Sequence, residues 1–311
     1  MPNVIYTSWS KLEAQFELER LQGLPLQHQW LNAHNTAVQP NDIYLTTNGY
    51  DFKPGPHKKA TLISESYQYL KNEYEHWAHD NKWDHRFHFN PNYSKVSKSS
   101  AHGIMTWWKR ELALFEQTAN NKKPEFTFGM VLSKKPLDKS KPWMFGWYRS
   151  EIVNQSHGRS FKYYGGGWSN DSNYGGEAYV AGHRGTPEKF HDARILMSKA
   201  KFVWCVENIH DNFYSLNYLT EKIWHGFLSA SIPIYCGCGN VESLINPDLF
   251  IDVRKFNFNV KAILDFCEKM SDSEYQGYLN RIGDFLRGPG QKFTCEEQFL
   301  ELDKKLTEVF K

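Results

Sequence analysis

Lys201-Phe-Val-Trp-Cys-Val-Glu-Asn208, Tyr218-Leu-Thr-Glu-Lys222 and Ser231-Ile-Pro-Ile-Tyr-Cys-Gly237 are pieces of one stretch, and their reading decides the fold. Phe202 to Val206 is a short apolar run of strand type. Ile232 to Tyr235 is a second such run, closed by the turn residues Gly237 and Gly239. Between them Thr220 stands where an N-cap belongs. Behind it Ile223 with Phe227, and Trp224 with Leu228, form apolar i, i+4 pairs of a helix. Strand, loop, helix and strand make a βαβ unit, whose connection is right-handed.

In such units ligands sit at the carboxyl ends of the strands, and anions at the helix N-terminus. That end carries Glu207, Asn208, Tyr218, Glu221 and Lys222. Glu221 suits the positive end of the helix dipole. Lys222, in the same first turn, opposes it at a cost of roughly a few tenths of a kcal/mol. A bound anion that outweighs the repulsion would account for a cation there. The alternative is a Lys222 that swings into solvent and does nothing.

Glu207-Asn208, Tyr218-Leu-Thr-Glu-Lys222 and Ile232-Pro-Ile-Tyr-Cys-Gly237 together resemble the donor-binding signature of α-1,3-fucosyltransferases, glycosyltransferase family 10. Asn246-Pro247 and Phe250-Ile251-Asp252 resemble a further segment of that family. The resemblance implies an α/β fold of GT-B type, two Rossmann-like domains facing across a cleft. It implies inverting transfer of fucose from GDP-fucose to a hydroxyl of a glycan acceptor, with no cofactor and no essential divalent metal. It also implies that Asn208, Tyr218, Glu221 and Lys222 line the donor site. Two departures stand beside the donor: Ile209 replaces the family serine, and the loop from Asn208 to Tyr218 is longer than in the family. They leave open another nucleotide-sugar donor, such as UDP-xylose or GDP-rhamnose. A non-catalytic carbohydrate-binding protein is the alternative of a different class.

The chain has 311 residues, 40% apolar and 23% charged, which suits two globular α/β domains and argues against disorder. With 37 Lys and Arg against 35 Asp and Glu, the net charge of +2 gives no general case for nucleic acid or an acidic membrane. Five Cys without paired spacings argue against a disulfide framework and fit a reducing compartment. Cys236-Gly-Cys238 reads as strand-end packing, since half a zinc site is no site. Eleven Trp could supply flat sugar-binding faces or simply fill two cores. No apolar window is long enough to span a membrane, and the first residues lack a leader pattern. The expectation is a soluble cytoplasmic chain of bacterial or viral type.

Asn3 to Thr7, Ile43 to Thr46, Ala60 to Ile63 and Arg86 to Phe89 read as strands of a first domain, with Lys11 to Leu21 as a helix. Ala101 to Gln117 reads as a helix with Ile104, Trp108, Leu112 and Phe115 on one stripe. Asn120-Asn-Lys-Lys-Pro124 breaks that pattern. The expected divisions are 1–121 on the acceptor side, 122–290 for the nucleotide sugar, and a C-terminal helix within 291–311 packing back on the first domain. In the second domain Phe126 to Leu132 and Phe161 to Tyr164 read as strands and Trp143 to Gln155 as a helix. Residues 168 to 188 read as a loop. Leu264 to Met270, Tyr275 to Leu286 and Glu296 to Phe310 read as helices.

Glycosyl transfer to a hydroxyl needs a base for the acceptor proton and cations for the departing diphosphate. The chain contains no Asp-x-Asp pair to hold a metal, so side-chain cations and helix dipoles are expected to serve. Lys222 and Arg149 are the candidates, Arg149 because the family places an arginine at a similar distance before a glycine-rich turn, here Gly165-Gly-Gly167. A guanidinium can also grip phosphate bidentately. Arg159 is a weaker competitor. Glu65, after the strand Ala60 to Ile63, is the candidate base, as the resemblance implies; Glu73 and Glu75 lie further from the strand end. His85, His88 and His183 show no ligand spacing.

Overall fold

The computed structural model describes residues 2–7, 11–47, 55–63, 83–88, 98–99, 107–135, 145–168, 172–176, 187–210 and 215–311. Among these residues lie two parallel sheets. The first joins β1 (Val4–Thr7), β2 (Trp30–Asn32), β3 (Ile43–Thr47), β4 (Lys58–Ile63), β5 (His85–His88) and β6 (Lys98–Ser99) in the order β2-β1-β3-β4-β5-β6. The second joins β7 (Phe126–Val131), β8 (Phe161–Tyr164), β9 (Ala200–Val206), β10 (Ile232–Cys236) and β11 (Ile251–Asp252) in the order β11-β10-β9-β7-β8. β10 is buried at every residue and β9 at all but Lys201. Strands covered on both faces need continuous apolar runs, and both have them.

Among the described residues the helices are α1 (Lys11–Leu21), α2 (Leu112–Asn120), α3 (Gly146–Gln155), α4 (Pro187–Ser198), α5 (Glu221–Leu228), α6 (Val241–Leu244), α7 (Val260–Glu268), α8 (Asp272–Arg287) and α9 (Cys295–Val309). α5 connects β9 to its parallel neighbour β10 in register Ile232 to Phe202, the βαβ unit expected from the sequence. It lies close against the sheet at Gly226, where a Cβ would come 2.8 Å from the Pro233 ring. The order of the second sheet reverses between β7 and β9. That reversal opens a crevice outside the carboxyl ends of these two strands, the place where ligands of open parallel sheets bind.

Several elements depart from the sequence reading. The helix expected over 101–117 begins only at Leu112; Trp108 is extended and Lys109–Glu111 form a 3₁₀ turn. Contacts with α9 hold this segment: Cys295 N donates to Trp107 O at 2.7 Å, and the Trp108 ring stacks on Phe299. Residues 101–106 lie outside the described ones. α4 was not expected at all, because its burial inverts the usual pattern. Arg194 is buried against Glu111 at 3.2 Å, while Ile195 is 51% exposed. β2 is too short, at three residues, to show an alternation. α7 starts at Val260 rather than Leu264, since the Asn259 side chain caps it by accepting from Ala262 N.

α9 belongs to the core of the first sheet. Its Cys295, Phe299, Leu302 and Leu306 pack with Val4, Tyr6, Ile43, Leu45 and Trp30. Asp303 fastens it, accepting from Trp30 Nε1 at 2.8 Å and from Gln27 N, with His28 Nδ1 at 2.8 Å.

Candidate functional site

Glu207 and Asn208 follow the last residue of β9, and Gly237 follows the last residue of β10. Thr220 occupies the N-cap position of α5 with extended backbone, but its hydroxyl makes no capping bond. It turns instead to Glu207: Thr220 Oγ1 donates to Oε2 at 2.6 Å and Thr220 N donates to Oε1 at 3.1 Å. A strand-end carboxylate thus takes over part of the capping that the sequence assigned to a threonine. Tyr235 completes the cluster, its hydroxyl 3.5 Å from Glu207 Oε1 and accepting from Cys238 N at 3.0 Å.

Lys222 does not swing into solvent. It is buried, with Nζ 3.2 Å from Glu207 Oε2, 2.9 Å from Glu221 Oε1 and 2.9 Å from Thr220 Oγ1. Burial works against its charge, but Glu207 and Glu221 outweigh that and raise its pKa above the ordinary lysine value. Burial raises Glu207 as well, opposed by Lys222 and the Thr220 hydrogen bonds. The geometry is that of an ammonium–carboxylate pair at the first turn of a helix. Glu221 is the outer partner, with its side chain 18% exposed against 0% for Glu207.

Arg149, on α3, lies at the switch point between β7 and β9 and is only 2% exposed. Nη1 donates to Ser133 O at 3.1 Å, and Nη2 to Val206 O at 2.8 Å, Glu207 O at 3.3 Å and Asn208 Oδ1 at 3.1 Å. In this arrangement the guanidinium braces the two strand ends, and a phosphate would meet it only by replacing one of those oxygens. Asn208 is thereby tied to Arg149. Tyr218 is 1% exposed, and its carbonyl faces the Tyr235 hydroxyl at 3.4 Å. The structure therefore brings Arg149, Asn208, Tyr218, Glu221 and Lys222 together around the ends of β7, β9 and β10. Glu65 lies outside the described residues, as do Glu73, Glu75 and His183. Arg159 is elsewhere, paired with Asp265 and Glu268 on α7.

Sequence reasoning left Glu207 without a role, although a charged residue directly after a buried strand was a signal. It also passed over His210, whose ring stacks on Phe145 at 5.5 Å and whose Nδ1 lies 2.8 Å from Gly237 O. His225, on α5 itself, is sealed in the core. Burial and Arg194 push its pKa down to about 3, so it is a neutral packing residue and no general base. The five cysteines are buried, Cys236 and Cys238 among them, and none of them forms a disulfide. No group of three or more His, Cys, Asp or Glu able to hold a metal is found among the described residues. Among them, too, no helix is long and apolar enough to cross a membrane.

Residues 169–284 match the family described as glycosyltransferase family 10 (fucosyltransferase) C-term. An α-(1,4)-fucosyltransferase of Arabidopsis thaliana is 31% identical over 105 residues, 34% of this chain and 22% of that protein. An α-(1,3)-fucosyltransferase, FucT, of Helicobacter pylori is 33% identical over 86 residues, 28% of this chain and 17% of its own length. The chain thus spans about a fifth of the length of the curated relatives it matches. Among solved structures, an α1,3-fucosyltransferase with GDP superposes with a TM-score of 0.56 at 15% identity, over 99% of this chain and 91% of that one. A DNA-modifying β-glucosyltransferase does so with a TM-score of 0.54 at 10% identity, over 99% of both chains. These likenesses, with the two parallel sheets, give the fold as GT-B. The stretch that holds Glu207, Glu221 and Lys222 thus lies inside the part of the chain, residues 169–284, that is similar to the C-terminal region of glycosyltransferase family 10.

Proposed function

We propose that this chain is an inverting glycosyltransferase that moves fucose from GDP-fucose to a hydroxyl of a glycan acceptor. The observation that carries the reading is Lys222, a buried ammonium at the N-terminus of α5, within the family 10 stretch and at the carboxyl ends of a parallel sheet. Dipole and ammonium together favour a diphosphate there. The fucosyltransferases among the relatives, and the superposed α1,3-fucosyltransferase structures with GDP and GDP-fucose, support fucose and guanosine diphosphate as donor parts.

In this reading residues 122–290 bind the donor and 1–121 face the acceptor. Lys222 takes the diphosphate charge; Arg149 and Asn208 hold the β9 end from below; Tyr218 shapes the wall; Glu221 turns to donor hydroxyls. Glu65 removes the proton as the acceptor oxygen attacks the anomeric carbon from the face opposite the diphosphate. The anomeric carbon–oxygen bond breaks, and its electron pair leaves on the diphosphate. Charge neutralisation by side chains makes no demand for a divalent metal.

A thermal-shift comparison of GDP and UDP tests the donor. GDP at a hundredfold excess over its Kd should stabilise the fold by about 2.7 kcal/mol, and UDP by far less. A shift with UDP alone would replace the guanine nucleotide, and a shift with neither would leave only the carbohydrate-binding reading. Glu65→Gln should lower turnover by about 10²- to 10⁴-fold while the GDP shift persists. Unchanged turnover would remove Glu65 from the reaction.

A further inference from the structure

Glu207 is the one member of the strand-end cluster with no accessible surface, at 0% exposure. Thr220 N and Oγ1, Lys222 Nζ and the Tyr235 hydroxyl converge on it within 3.5 Å. The chain makes room for it: a Cβ at position 237 would lie 2.1 Å from Glu207 Cγ and 2.9 Å from the Tyr235 hydroxyl oxygen. A buried ion pair is seldom better for stability than apolar side chains of the same volume. A fold that needed only a firm turn here had a simpler solution. What the carboxylate adds is a fixed position for one ammonium group.

We propose that Glu207 is the positioning residue of the donor site, acting on the donor diphosphate through Lys222 and Thr220 without touching it; this rests on the donor reading above. Lys222 Nζ has three anchors, and they differ in access. Glu221 is partly exposed and is the partner a phosphate can replace. Glu207 is sealed beneath, so it keeps hold of Lys222 while Glu221 is exchanged for phosphate. Thr220 Oγ1 links the two, donating to Glu207 and accepting from Lys222.

The test is nucleotide affinity of the full chain by calorimetry, with GDP and guanosine as paired probes. Glu207→Gln keeps the shape and removes the charge. It should weaken GDP by about tenfold or more, the scale of one charge-assisted hydrogen bond, and leave guanosine within about twofold. In a Lys222→Met background the same substitution should change GDP affinity by less than about twofold, because its effect runs through Lys222. Should Glu207→Gln not fold, Thr220→Val, which removes the linking hydroxyl, should weaken GDP selectively in the same sense. Equal losses of GDP and guanosine, or an undiminished loss without Lys222, would make Glu207 a structural residue and overturn the proposal. So would a GDP affinity that neither substitution changes. A wild-type chain that binds GDP no better than guanosine would instead bring down the donor reading itself.

Discussion

Lys222→Met should cost the protein its nucleotide and a large part of its stability, and Glu207→Gln added to it should return only the stability. Glu207 is fully buried, with Lys222 as the cation at 3.2 Å. Removing one partner of a buried pair leaves the other uncompensated, at a cost of about 3–5 kcal/mol. Neutralising both removes that penalty, so the double variant should unfold in urea within about 1 kcal/mol of the wild type. GDP affinity should fall by about 10- to 100-fold in both variants, as charge-assisted contacts to phosphate are lost. The measurement belongs at neutral pH. Lys222 is held above its ordinary pKa, so its contribution is fully present below the unfolded value of 10.5 and drains away only as pH rises through the higher folded one. A Lys222→Met chain as stable as the wild type would mean that the pair does not form.

The βαβ unit could be read before any coordinates because its signals are local. Phe202 to Val206 and Ile232 to Tyr235 are unbroken apolar runs, and α5 shows its helical pairs within eight residues. Lys222 and Glu221 were legible for the same reason, as charges in a first turn. Glu207 was visible but mute. Its partners Thr220 and Tyr235 lie 13 and 28 positions along the chain, and only the parallel register of β9 with β10 brings them together. Arg149 shows the reverse case. The sequence offered it as a phosphate ligand, yet the backbone carbonyls that surround it carry no trace in the side-chain sequence. α4 was hidden by its chemistry, since a buried Arg194 and an exposed Ile195 defeat a pattern built on apolar burial. The false start of α2 came from Trp108, whose stripe position fits a helix until α9 claims it and the neighbouring Trp107.

Asp303→Ala should detach α9 from the first sheet. The carboxyl group accepts from Gln27 N and Trp30 Nε1 and meets His28 Nδ1, all three donor positions lying on the β2 approach. Asp303 is 1% exposed and His28 6%, so water cannot replace the lost acceptor without opening the contact. Each stranded donor costs about 1–3 kcal/mol, giving about 3–9 kcal/mol in all. That is a large share of the roughly 5–15 kcal/mol by which folded domains are stable. Asp303→Asn is the milder control. Its one remaining oxygen can still serve His28 and Trp30, leaving Gln27 N unsatisfied at about 1–3 kcal/mol. Hydrogen exchange should show the α9 amides losing protection in Asp303→Ala before those of β9 and β10, whose side chains lie in a separate core with Trp204, Ile223 and Ile234. Protection of α9 that survives Asp303→Ala, with urea stability within about 1 kcal/mol of wild type, would mean that Phe299, Leu302 and Leu306 hold the helix by apolar contact alone.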